Sequence, residues 1–469
     1  MLLAALARLP FLHTPLTADE GGYAEVARLW SHGAGLYHGA WVDRPQGLLI
    51  IFRAMLHVDG GSAEALRALA AVAAALVVAV TMVLTARLAG RIPATIAGLA
   101  MATVGASPFI ESFTLSGELL ASFFAVASLL AFVLYLERRA PGWLVTAGIL
   151  TGCAVLVKQS AFDAGAAAAV YLVWTRRRAG IAPAAALVAA AFVPVVLAAA
   201  TAPSFHDWWY AMVTYRDQAD SIVTGSGHAR LDQAWHSAGA AARGLGVLVL
   251  LAVAGGRRWP LLGVLWLVFA CLGVIGGGNF HNHYYQQLVP PLALLAGIGG
   301  AELVRDRANW RTARTSIGMI AVIAVALVAT AAVTVPLWFD SSAAQARTVF
   351  PDDPHLRTDA AVVRYVRAHT RPGQRIFVMW AAADIYYLAD RDPSLRYMWF
   401  RNIQAIPGAL GQARRMLAGP HPPALVVEVN APAAMDPSGR TQGILEHSYR
   451  RAATVGGVPI YAPKRPHSP

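Results

Sequence analysis

Residues 17–45 read TADEGGYAEVARLWSHGAGLYHGAWVDRP, and this is the early stretch that combines acids with aromatics. Apolar runs lie on both sides of it. Asp19 and Glu20 follow the first run directly, and Tyr23, Val26, Ala27 and Trp30 share the apolar face of a short amphipathic helix. Gly33 and Gly35 end that helix, and Asp43-Arg44-Pro45 precede the return to apolar sequence. A polar, structured loop between two apolar runs is the mark of a chain that leaves a membrane and re-enters it.

Composition says the same of the whole chain. Of 469 residues, 57% are hydrophobic and 14% charged, with a mean hydropathy of +0.50. An ordinary soluble domain carries about 25% charged residues, so the class is polytopic membrane protein. The net charge of +12 comes from short arginine clusters beside apolar spans, which is how cytoplasmic membrane loops look and argues against nucleic-acid binding. Cys153 and Cys271 lie inside apolar runs and imply no disulfide framework. All but Lys158 and Lys464 of the 38 basic residues are arginine, a bias that fits a GC-rich bacterial genome and hence a bacterial plasma membrane. Residues 2–12 are apolar but lack the small-residue cleavage site of a signal peptide, and they are short for a span needing about 20 residues. Either the true start lies upstream or the first helix is abbreviated.

Apolar segments predict about 11 transmembrane helices, at 1–14, 64–86, 93–110, 117–136, 142–158, 161–175, 181–201, 238–254, 259–275, 286–303 and 315–337. Arginines at 87 and 91, 138 and 139, 176–178, 257 and 258, and 305–314 fall at every second connection, which the positive-inside rule makes cytoplasmic. The alternate connections then share the extracytoplasmic side, and nearly all the polar chemistry other than arginine sits there. After residue 338 the composition changes: charges mix, prolines recur, and short β-rich runs alternate with helical ones. This predicts a transmembrane domain at 1–338, with an extracytoplasmic loop at 13–63, and a small extracytoplasmic α/β domain at 339–469. Within the latter, 356–369 and 384–388 read as helices and 375–380 and 424–429 as strands.

Several residues on the outer side can carry chemistry. Asp19 and Glu20 either cap a helix or supply a general base, with Asp19 the base and Glu20 orienting it or holding a metal or acceptor. Arg44, beside Asp43, either binds lipid headgroups or pairs bidentately with a phosphate. Glu118, near Glu111, is either the N-terminal acid of its span or a site residue, because an acid entering the membrane needs a partner. Lys158, followed by Gln159 and Asp163, either snorkels to the interface or contacts a phosphate or sugar. His281, His283 and Tyr284 form a polar and aromatic patch suited to a sugar ring or phosphate. Their HxH spacing leaves a divalent metal open, although no third ligand stands nearby. The aromatics of the 204–236 loop either form an interfacial belt or line an acceptor groove.

Together these residues resemble the GT-C superfamily of integral-membrane glycosyltransferases, in the branch of protein O-mannosyltransferases and bacterial aminoarabinose transferases. The resemblance rests on ADEGGYAEVARLWSHGAGLYHGAWVDRPQG (18–47), SGELLASFFAVASLLAFVLYLERR (116–139), GCAVLVKQ (152–159) and HNHYYQQLVPPLALLAG (281–297). The tail VRYVRAHTRPGQRIFVMWAAADIYYLADRDPSLR (363–396) is similar to tails of actinobacterial members. The resemblance implies a polyprenyl-monophosphate sugar as donor and a lipid, glycan or protein as acceptor, with inversion at the anomeric carbon. It places the catalytic base on Asp19 and the lipid phosphate on Arg44. Tyr23, Asp43, Glu118, Gln159, His281, His283 and Tyr284 are the expected substrate-binding residues, with Lys158 joining Arg44 at the phosphate. Family members often carry a second proline where this chain has Gln46. The competing expectations are a transporter or flippase of lipid-linked saccharide, which calls for inverted repeats and mid-membrane charges, and a non-catalytic subunit of an envelope assembly.

Overall fold

The structure is a computed structural model that describes residues 1–59, 61–224, 229–276, 278–306, 313–380 and 382–464. Helices occupy all eleven expected segments, and among the described residues six are long and apolar enough to cross a membrane alone: Ala63–Ala89, Gly117–Arg138, Arg178–Thr201, Arg230–Ala254, Asn282–Arg305 and Ile317–Leu337. The others are shorter. The expected first span is two pieces, a helix at Leu2–Leu6 and a 3₁₀ turn at Leu9–Phe11, because Pro10 cannot donate to a continuing α-helix. Arg178–Thr201 and Ile317–Leu337 are mostly exposed along their apolar length, as lipid-facing helices are.

The polar residues sort to two ends of this bundle. At one end Arg87 meets Glu137 at 2.6 Å, Arg176 reaches the Tyr135 hydroxyl at 3.2 Å, and Arg258 and Arg305 both hold Glu302. Arg307 and Arg311, part of the expected cluster at 305–314, lie outside the described residues. At the other end are the 17–45 stretch, the Glu111–Glu118 turn, Lys158 and the histidine patch.

The stretch that opened the reading forms the helix Ala18–Ser31. Thr17 caps it: its hydroxyl accepts from the Glu20 amide at 3.2 Å, and the Glu20 carboxylate accepts from the Thr17 amide at 3.2 Å. The helix stops at His32, where Gly33 takes φ 94°. A tight turn follows in which the Tyr37 amide donates to the Ala40 carbonyl. The expected loop at 13–63 holds a second helix as well, Gln46–Asp59, which starts just after Pro45 and packs Leu48, Leu49 and Phe52 into the core.

The tail carries a four-stranded sheet of β1 (Phe377–Met379), β2 (Val426–Glu428), β3 (Tyr449–Val455) and β4 (Val458–Pro463), in the order β1-β2-β4-β3. β1 and β2 run parallel, with Phe377 opposite Val426; β4 is antiparallel to both β2 and β3. The expected helices and strands of the tail are present at Asp359–His369, Asp384–Ala389, β1 and β2. Unanticipated are the helices Phe400–Ala405, Ala409–Ala418 and Arg440–Ser448 and the β3–β4 hairpin.

The tail does not stand apart. One continuous apolar cluster includes Leu129 of a membrane helix, Tyr23, Val26 and Phe52 of the outer loop, and Ile385 and Ile460 of the tail. Gly21 and Gly22 make the close approach possible. A Cβ at Gly21 would lie 2.3 Å from the Asp384 Cα, and one at Gly22 would lie 2.4 Å from the Trp399 ring. Two adjacent glycines weaken a helix by about 1 kcal/mol each relative to alanine, and here that weakness is offset by the contact they allow. Arg28, about two turns further on, ion-pairs with Asp390 at 3.0 Å and Asp392 at 2.8 Å.

Candidate active site

Asp19 sits in the first turn of Ala18–Ser31, with both carboxylate oxygens held. The Tyr23 hydroxyl donates to Oδ2 at 2.9 Å, one helical turn along, and the Trp399 indole donates to Oδ1 at 3.0 Å from the tail. Arg44 closes the group. Its Nε donates to the Tyr23 hydroxyl at 2.7 Å, its Nη1 to Asp43 at 2.5 Å, and its Nη2 lies 4.0 Å from Asp19. The Tyr37 hydroxyl donates to the Arg44 carbonyl at 3.2 Å, which fixes the backbone that aims the guanidinium. Arg216, from the helix Tyr215–Thr224, holds Asp43 from behind through its carbonyl at 2.9 Å and its carboxylate at 3.4 Å.

Burial alone would raise the Asp19 carboxyl. Arg44, His283, the Tyr23 hydrogen bond and His281 outweigh it and hold Asp19 below the usual carboxylate value. Asp19 is therefore anionic and oriented at neutral pH, yet its side chain remains about a third exposed. A carboxylate has roughly four acceptor sites, so two bound donors leave room for an incoming hydroxyl.

Glu20 points the other way. Besides the cap, its carboxylate accepts from the Leu115 amide at 2.8 Å and pairs with buried Arg67 at 3.0 Å, and it is 2% exposed. Arg67 also donates to the Pro15 carbonyl at 2.7 Å. The adjacent acids have thus divided: Asp19 faces the open site, while Glu20 locks the outer loop to the 111–116 turn.

A second charged group borders the first. Glu118 is in the first turn of Gly117–Arg138, buried, and ion-paired with Lys158, whose ammonium lies 3.9 Å from the centre of the Tyr284 ring. His283 stands between two acids, with Nδ1 3.3 Å from Glu111 and Nε2 3.8 Å from Glu118. His281 stacks parallel to His283 at 5.6 Å. Burial and the neighbouring His283 push the His281 ring down to about 4, so it is neutral at neutral pH. The ring nitrogens of His283 are thus engaged by carboxylates.

Gln159 is not turned into this group: its amide nitrogen donates to the Met212 carbonyl at 3.0 Å and braces the 204–236 segment. In that segment Tyr215 is buried, packs edge-on against Trp41 at 4.9 Å, and accepts from Asn402 at 2.9 Å. Phe205 and Trp209 remain exposed, as belt residues would be.

Two residues that complete the site escape a reading of the sequence alone: Trp399 and Arg216. Burial, Glu111, Asp352 and Asp19 push the Asp353 carboxyl up to about 6, which puts a tail acid in the same electrostatic neighbourhood.

The architecture is that of known enzymes. Residues 43–201 match the family model described as dolichyl-phosphate-mannose-protein mannosyltransferase, a segment that includes Arg44, Glu118 and Lys158 but not Asp19. No curated protein matches the chain. Among solved structures, apo ArnT from Cupriavidus metallidurans aligns with a TM-score of 0.61 at 15% identity, covering 98% of this chain and 96% of that one. The same protein bound to undecaprenyl phosphate aligns with a TM-score of 0.60 at 15% identity, covering 98% and 97%. The Archaeoglobus fulgidus oligosaccharyltransferase in complex with Zn and sulfate gives 0.57 at 13% identity, covering 98% of this chain and 72% of that one. The chain has the fold of the GT-C membrane glycosyltransferases.

Proposed function

We propose that the protein transfers a sugar from a polyprenyl-monophosphate carrier to an acceptor hydroxyl on the extracytoplasmic face of a bacterial plasma membrane. The observation that carries this reading is the Asp19–Tyr23–Arg44 group: an oriented, partly exposed anion beside a guanidinium, at the polar end of an apolar bundle. The matched family model and the ArnT structure with undecaprenyl phosphate support the donor class.

In this mechanism the lipid lies between apolar helices and its phosphate meets Arg44. Asp19 accepts the proton of the acceptor hydroxyl as its oxygen attacks the anomeric carbon. The bond from that carbon to the phosphate oxygen breaks, and the polyprenyl phosphate leaves carrying the electron pair. One displacement inverts the anomeric centre. Arg44 faces the charge that grows on the leaving phosphate, where a fixed cation stabilises the transition state more than the ground state. Lys158 adds a second cation at that side, held in place by Glu118 and Tyr284 until phosphate competes for it. His281, neutral and stacked, and Tyr284 line the sugar side.

Purified protein in proteoliposomes, given polyprenyl-phosphate mannose or aminoarabinose with envelope extract as acceptor, is expected to release free polyprenyl phosphate and label the extract. Movement of intact lipid-linked sugar across the vesicle without release overturns the reading in favour of a flippase. The topology is tested separately: reporter fusions after residue 140 or 179 are expected to report cytoplasm, and fusions after residue 345 the outside. A cytoplasmic report at 345 would remove the tail, and Trp399 with it, from the compartment of the site.

A further inference from the structure

Apart from the site just described, the tail buries a group of ligands that nothing there satisfies. His355 lies in the 3₁₀ turn Pro354–Arg357, Asp359 opens the helix Asp359–His369, and Asp384 opens the helix Asp384–Ala389. One ligand atom from each lies within 4.8 Å of the others, a three-ligand grouping of this kind found among the described residues. Asp359 is 2% exposed and Asp384 1%. All four of their carboxylate oxygens, and the Nε2 of His355, lack a hydrogen-bond partner. The nearest approach to the imidazole is Asp359 at 3.8 Å, too long for a hydrogen bond.

Buried carboxylates are normally paired, hydrogen-bonded or bound to metal, because an uncompensated buried charge costs several kcal/mol. Among the described residues no arginine, lysine or amide hydrogen-bonds these oxygens. We propose that His355, Asp359 and Asp384 form a divalent-cation site of the zinc type, in the tail and distinct from Asp19. One imidazole and two carboxylates are the donor set such a cation takes, with water completing the shell. Ligand bonds of about 2.0–2.2 Å require the three side chains to close by roughly an ångström from their present spread. Two oxygens of a calcium or magnesium shell would be too few, and both ions favour oxygen over imidazole.

Position gives the site its purpose. The Asp384 Cα lies against Gly21, two residues from Asp19, and Ala383 and Trp399 lie against Gly22. A cation that ties 355, 359 and 384 together fixes the surface on which the Ala18–Ser31 helix rests, and so positions the Trp399 indole on Asp19.

The test is metal binding by the detergent-purified full chain, read without any transfer assay. After chelation and dialysis, Co²⁺ is titrated as the probe, its visible absorption recorded, and Zn²⁺ used to displace it. The wild type is expected to take up a single equivalent and to unfold at higher temperature with Zn²⁺ than without. Asp384→Asn and His355→Gln are each expected to lose both effects, while Glu111→Gln keeps them. Two variants guard against one that fails to fold, and the wild type decides alone if both do. Absence of Co²⁺ uptake by the wild type overturns the proposal and leaves the two acids sharing a proton. Uptake that survives Asp384→Asn but is lost in Glu111→Gln overturns it too, placing the cation at His283.

Discussion

Asp19→Asn is expected to lower sugar transfer by about two orders of magnitude or more, within the hundred- to ten-thousand-fold range of general-base catalysis. The amide keeps the size of the carboxylate and can still accept from Tyr23 and Trp399, the two donors that hold Asp19. Folding and donor binding should therefore persist, and the loss should fall mainly on kcat, since the missing interaction belongs to the transition state. Glu20→Gln is the informative neighbour. It disturbs the helix cap, the Leu115 amide and the Arg67 pair, so it should lower the unfolding temperature while leaving transfer by the folded fraction closer to normal. Abolished transfer in well-folded Glu20→Gln, or normal transfer in Asp19→Asn, would exchange their roles. The pH profile adds a check. Because Asp19 is held below the usual carboxylate value of about 4, it is ionised at all higher pH. The acid limb of kcat should then appear only as pH falls through that depressed value.

Arg44→Ala is expected to cost roughly a hundredfold or more in transfer, the scale on which removing one transition-state-stabilising donor acts. The substitution removes the group proposed to meet the phosphate. It also removes a donor from Tyr23 and from Asp43, although Arg216 still holds Asp43. Arg44→Lys should recover part of the rate, because the charge survives while the two-pronged geometry is lost. Unchanged kinetics in Arg44→Ala, with donor affinity intact, would remove Arg44 from the site. The Arg44→Lys rescue separates a lost phosphate contact from mere collapse of the loop, which lysine would not repair.

What the sequence showed and hid follows from the range of each interaction. Membrane helices announce themselves because their apolar content is local, and their expected orientation because arginines cluster at every second connection. Asp19 and Arg44 were legible as polar residues at the mouth of apolar spans. So was the fate of Glu20: Thr17-Ala18-Asp19-Glu20 carries the capping-box spacing outright. The β3–β4 hairpin left a signal in Gly456-Gly457 between two strand-like runs, with φ of 58° and 88° in the structure. Gln46–Asp59 hid because fourteen residues after a proline look like the start of a span as readily as an interfacial helix. Trp399 left nothing to read. Its hydrogen bond to Asp19 joins positions 380 residues apart, and only the docking surface of Gly21 and Gly22 brings them together.

That docking surface has a consequence for how the protein comes into being. The residue proposed as base stands at position 19, and the indole that orients it follows 380 residues later. Arg28 cannot find Asp390 and Asp392, nor Asp19 its Trp399, until residues 390–399 have been made and brought to the same end of the bundle. A chain that has not yet reached residue 399 therefore lacks one of the two donors that hold Asp19. Termination before residue 399 is expected to leave Asp19 without its indole donor and so to lower transfer rather than membrane insertion.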